Sequence, residues 1–176
     1  MSGQLGHGAR PEYSAVPVTV SGIDDARAVA AGMSHACAER GDGSVWCWGT
    51  NDFGNLGDGT TTTRSAPVML AGLVTGSRIA RELAGSVTCA VRPDGGVACV
   101  GRNAEGELGD GSGTDSSVPV SVAGLTGVVA LGGGGQSWCA GRSNGEAWCW
   151  GDNAYGQLGD GSTTDRWTPV RVVDVP

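Results

Sequence analysis

The chain has 176 residues, a formal net charge of −7 and a sequence pI of about 4.6. Its length fits one domain, and its acidic balance argues against a nucleic-acid partner, which needs a basic face to neutralise phosphates. No apolar run approaches the roughly 20 residues a membrane helix needs, so no membrane partner is expected, and the first ten residues, MSGQLGHGAR, carry no apolar signal-peptide core.

Glycine supplies 33 residues, well above the usual share of about 7%. They are periodic. Leu5, Leu56, Leu108 and Leu158 each sit in a GxLG tract, and Pro17, Pro67, Pro119 and Pro169 follow at matching offsets. The unit is therefore about 51 residues long, and periodic glycine of this kind marks short strands joined by tight turns.

In chain order, residues 1–22 hold a GQLG tract and then, at 15–20, an orphan outer strand. The first full unit, 23–72, contains ARAVAAGM, HACAER, SVWCWG and APVML. The second, 73–124, contains SRIARELA, VTCAVR, GVACVG and VPVSV. The third, 125–176, contains GVVALGG, SWCAGR, EAWCWG and TPVRV. β-Branched, alternating segments bounded by Gly, Pro and Asp predict strands. No window carries a capped helical pattern of useful length. The fold expected is all-β: four-stranded antiparallel blades of a β-propeller, three complete and one extra N-terminal strand, as a partial propeller or half of a ring.

The second and third strands of each unit form a hairpin. Its turn is centred on Asp42, Asp94 or Asn144, with Gly43, Gly95 or Gly145 at the left-handed bulge position. That register sets Cys37 opposite Cys47, Cys89 opposite Cys99, and Cys139 opposite Cys149. Opposed residues of a non-hydrogen-bonded pair stand about 4.5 Å apart at Cα, which suits a disulfide. Three cross-strand disulfides are expected, each worth about 2.8 kcal/mol in the loop-entropy model. The competing reading is six small buried thiols.

The pattern GxxHxC…DGxVxCWGxNxxGxLGxG…PVxV runs through Gly32, His35, Cys37, Asp42, Gly43, Val45, Cys47, Trp48, Gly49, Asn51, Gly54, Leu56, Gly57, Gly59, Pro67 and Val68. It resembles the repeat of the regulator of chromosome condensation family. The resemblance implies seven-bladed propellers that act by binding other proteins. The cysteine-bearing form resembles repeats of secreted or surface bacterial proteins, which implies an extracellular or cell-surface location. The second unit departs from the pattern: Val87 stands for His, and Ala98 and Val100 replace both tryptophans.

The family's roles in nucleotide exchange on a small GTPase and in tryptophan-based UV-B sensing are alternatives. Exchange on chromatin would want basic character, and Trp46, Trp48, Trp148 and Trp150 read as core. Asp58, Asp110 and Asp160 lack the alternating acidic ligands of calcium loops, and no serine–histidine–acid set stands out. No catalytic residue, metal site or cofactor is assigned. A non-catalytic interaction or scaffold module remains, with an unnamed protein partner. Its candidate binding residues break the repeat: Arg166 and Trp167 before the last strand, and Arg81 and Glu82 in an inner strand. Seven units would need about 357 residues, so the chain is expected to be part of a longer propeller or to self-associate to close a ring.

Overall fold

The computed structural model describes residues 3–8 and 13–173. Twelve strands are present among them and no helix. β1 (Ala26–Ala31), β2 (His35–Arg40), β3 (Val45–Gly49) and β4 (Arg64–Met69) form one sheet. β5 (Arg78–Ile79), β6 (Val87–Val91), β7 (Val97–Gly101) and β8 (Ser116–Ser121) form the second. β9 (Val128–Gly134), β10 (Ser137–Arg142), β11 (Ala147–Gly151) and β12 (Arg166–Arg171) form the third. Each sheet is an antiparallel meander in chain order.

The β2–β3, β6–β7 and β10–β11 hairpins are set by their turns. Gly43, Gly95 and Gly145 hold φ of 81°, 78° and 88°, a region costly for any residue with a Cβ. Their N–H groups donate to Arg40, Arg92 and Arg142. Asp42, Asp94 and Asn144 each accept the N–H two residues on, at 2.9, 2.9 and 3.1 Å. The register that follows pairs Cys37 with Cys47, Cys89 with Cys99 and Cys139 with Cys149. All three pairs are disulfide-bonded, with Cα atoms 4.0, 4.1 and 4.1 Å apart.

The sheets stack face to face. The cysteine face of each turns toward the next sheet. Cys37, Val45, Cys47 and Leu56 pack on Ile79, Leu83 and Val100, and Cys89, Val97 and Cys99 pack on Trp138, Ala140 and Trp150. The third sheet has no such neighbour, so Cys139 is exposed while Cys37, Cys47, Cys89 and Cys99 are fully buried.

The missing tryptophan of the second unit has a local replacement. Trp48 Nε1 donates to Gln4 O and Trp150 Nε1 to Glu107 O, both at 2.9 Å. Val100 cannot donate. Its cross-strand neighbour Thr88 does so instead, to Asn55 O at 2.8 Å. A buried carbonyl left without a donor costs about 1–3 kcal/mol, so the donor moves across the ladder and is not lost.

Thr88 thereby fixes His35. Its hydroxyl proton is committed to Asn55, so it accepts from His35 Nε2–H at 3.0 Å. Burial holds the His35 pKa down at about 4, and the imidazole is neutral. In the unfolded chain it would titrate near 6.5. Between those values the unfolded state binds the extra proton, so stability rises with pH and is lost as pH falls from about 6.5 to about 4. Unfolding free energies from urea titration are expected to drop from pH 7 to pH 5, by up to about 1.4 kcal/mol per pH unit. His35→Gln should flatten this slope; an unchanged slope would remove His35 as its source.

Two expectations need correction. Residues 15–20 form no strand; Val16 and Val18 are exposed. An outer strand needs the third strand of its own blade as ladder partner, and none of the described residues supplies one. Residues 9–12 and 174–176, which fall in the orphan unit and in the last unit, lie outside the described residues. The inner strand expected over SRIARELA shrinks to Arg78–Ile79, followed by one bridge between Ala31 and Glu82.

Candidate interaction surface

Meander topology puts the β1–β2, β5–β6 and β9–β10 turns at the same end of the sheets as the three long loops that precede the outer strands. These loops, 50–63, 102–115 and 152–165, are rigid for a stated reason. Each wraps a fully buried asparagine: Asn51, Asn103 or Asn153. Its Oδ1 accepts from the GxLG leucine N–H at 2.9, 2.9 and 3.0 Å. Its Nδ2 donates to the GDG aspartate and to a carbonyl near the loop's far end.

The aspartates are structural. Asp160 Oδ1 accepts from Ser162 N and Oγ, and Oδ2 from Arg166 Nε at 2.6 Å. Burial pushes its carboxyl up, but the Ser162 hydroxyl and N–H and the Arg166 guanidinium outweigh that and hold it at about 2. Asp58 repeats the arrangement with Thr60 and Arg64. Among the described residues no three His, Cys, Asp or Glu side chains are placed to share a metal ion.

On this frame three apolar side chains stand out. Met33 is 90% exposed, Tyr155 92% and Phe53 38%. Phe53 and Tyr155 occupy one repeat position, which Glu105 fills in the second unit. Beside Met33 and Phe53 lies a cavity of about 290 Å³, lined also by Ser34, Arg102, Glu107 and Gln136. Glu107 is buried, and desolvation raises its pKa. Its Oε2 accepts from Glu105 N at 2.8 Å, and Arg102 Nη1 stands 3.4 Å from Oε1. In the third unit the same two positions carry Asp152 and Gln157, joined by a 2.6 Å bond from the amide to the carboxylate. The charge has changed ends while the contact is kept.

The residues singled out from sequence do not form one site. Arg166 is tied to Asp160, as Arg64 is to Asp58. Trp167 is 49% exposed. Its ring lies over Gly106 and Gly113 of the second loop, where a Cβ on Gly106 would strike it. Trp167 thus sits at the junction of the second and third sheets and does not cover an open end. Arg81 and Glu82 lie on the inner edge in different concavities, Arg81 beside Arg27 and Arg78, Glu82 beside Leu131 and Ser137. Met33, Phe53 and Tyr155 were missed. The signal was available, because position 53/105/155 varies within an otherwise repeated loop.

Stacked four-stranded meanders with inner strands converging on one edge define a β-propeller segment. The chain belongs to the regulator of chromosome condensation (RCC1) repeat family: two models of that repeat match residues 42–91 with 144–176, and 26–55. It is similar to the ultraviolet-B receptor UVR8 of Arabidopsis thaliana, 35% identical over 130 residues, which is 72% of this chain and 29% of that relative. Human WBSCR16 superposes with a TM-score of 0.75 at 27% identity, covering 88% of this chain and 41% of that one. Saccharomyces cerevisiae Prp20p, whose structure was described with its binding to Gsp1p and histones, superposes with a TM-score of 0.71 at 21% identity over 87% and 39%. The chain therefore spans less than half the length of each of these proteins.

Proposed function

We propose that this chain is a non-catalytic protein-interaction module, and that its loop face receives the partner. The observation that carries this is the exposure of Met33 on the β1–β2 turn and of Tyr155 on a loop made rigid by buried Asn153, at the same end of the sheets. Large exposed side chains on a pre-ordered frame lose little entropy on binding, and loops on rigid scaffolds carry recognition. The half-exposed indole of Trp167, with Arg166 beside it, forms the rim of the same surface. Relatives point the same way by analogy only: Prp20p binds Gsp1p and histones, and UVR8 is a receptor. The test is capture of partners from the source cells on immobilised chain. The Met33→Ser/Tyr155→Ser variant is expected to lose the proteins retained by wild type while keeping its thermal midpoint. An unchanged set of retained proteins would overturn the reading.

Three disulfides favour an oxidising compartment, such as the exterior of the cell. The uncovered cysteine face of the third sheet favours self-association, in which another copy covers that face. Protection of Cys139–Cys149 from reductant as protein concentration rises would support it. Reduction at a rate independent of concentration would remove it.

A further inference from the structure

Among the described residues, Arg40, Arg64, Arg102, Arg142, Arg166 and Arg171 each lie within 4 Å of a carboxylate oxygen. Arg92 donates to Val97 O and Ser121 Oγ. Among the described residues three arginines remain with neither a carboxylate nor a hydrogen-bond acceptor of this kind: Arg27, Arg78 and Arg81. All three line one concavity of about 500 Å³ on the inner edge, where the three sheets converge. Its walls are Ile79, Val91, Val129 and Leu131, and one carboxylate, Glu39, faces it. Arg27 and Arg78 stand at the start of β1 and β5, and Glu39 near the end of β2. The concavity is therefore at the hairpin end, opposite the loop face.

A chain of net charge −7 has carboxylates enough to pair every guanidinium. Gathering three unpaired ones in a single recess costs repulsion that an anion would offset, and low-dielectric walls strengthen the field inside it. Guanidinium forks match carboxylate and phosphate oxygens two at a time. We propose that this concavity binds a small organic polyanion, with two or more carboxylate or phosphate groups spread over Arg27, Arg78 and Arg81 and an apolar centre against Val129 and Leu131. The recess lies within the volume range typical of small-ligand sites. Glu39 sets the orientation by repelling the anion from the β2 side.

Calorimetric titration at low ionic strength tests this, with citrate as the carboxylate probe and pyrophosphate as the phosphate probe. Saturable binding of either is expected, and which one binds identifies the oxygen chemistry. Arg78→Gln/Arg81→Gln should weaken binding at least tenfold, and Glu39→Gln should tighten it severalfold. Arg171→Gln, which lies on the outer edge, should change nothing. Raising salt to about 0.5 M should weaken binding in the wild type. The arginines are exposed, so the variants should keep the wild-type circular dichroism spectrum. Arg27→Gln serves as a second variant if the double one does not fold. No saturable binding of either probe, or equal affinities in wild type, the arginine variants and Glu39→Gln, would overturn the proposal.

Discussion

Replacing Trp150 by alanine is expected to lower the stability of the whole arc by about 4 kcal/mol or more, the largest single-residue effect in the molecule. The side chain is fully buried in the cluster that joins the second and third sheets, against Cys89, Cys99 and Leu108. Truncating a buried tryptophan costs about 3–5 kcal/mol in transfer and cavity terms. Its indole N–H also satisfies Glu107 O, and orphaning that carbonyl adds about 1–3 kcal/mol where water cannot reach it. Against a total of about 5–15 kcal/mol, the variant should melt about 10 °C or more below wild type. Trp150→Phe separates the two parts: it keeps most of the packing and loses only the donor, so a drop of about 1–3 kcal/mol is expected. A Trp150→Ala variant within about 1 kcal/mol of wild type would show that the second and third sheets do not depend on this junction.

Mild reductant is expected to open the three disulfides in a fixed order, Cys139–Cys149 first and the other two only with unfolding. Thiolate exchange needs an in-line approach to sulfur, so access controls the rate. Cys37, Cys47, Cys89 and Cys99 are sealed between sheets, whereas Cys139 lies on the uncovered face of the third. Alkylation followed by mass spectrometry should show no label without reductant, then two labels on Cys139 and Cys149, and all six only in denaturant. Full reduction removes three loop constraints worth about 2.8 kcal/mol each in the entropy model, a loss comparable with the whole stability of a domain. Equal rates for all three pairs in dilute native protein would contradict the packing described for the first two sheets.

The all-β class, the repeat, the hairpin turns and the opposition of the cysteines were legible in the sequence because each depends on local chemistry. A glycine at positive φ after Asp or Asn sets a hairpin register by itself, and register alone decides which cysteines face each other. The buried role of the GDG aspartates was half legible: turn chemistry was visible, but the asparagine they hold seven residues earlier was not. What depends on a neighbouring sheet was hidden. Residues 15–20 look like their counterparts at 65–70 yet form no strand, because a strand exists only where another offers a ladder. Thr88 reads as an ordinary strand residue, and only the stacking of the first and second sheets makes it the donor that stands in for a tryptophan and the acceptor for His35. The gathering of Arg27, Arg78 and Arg81 was equally hidden. They come from two units about 51 residues apart, and the convergence of the inner strands brings them into one recess. Short-range dihedral preferences are written residue by residue, whereas the pairing of charges, donors and apolar faces between blades is fixed only when the blades pack.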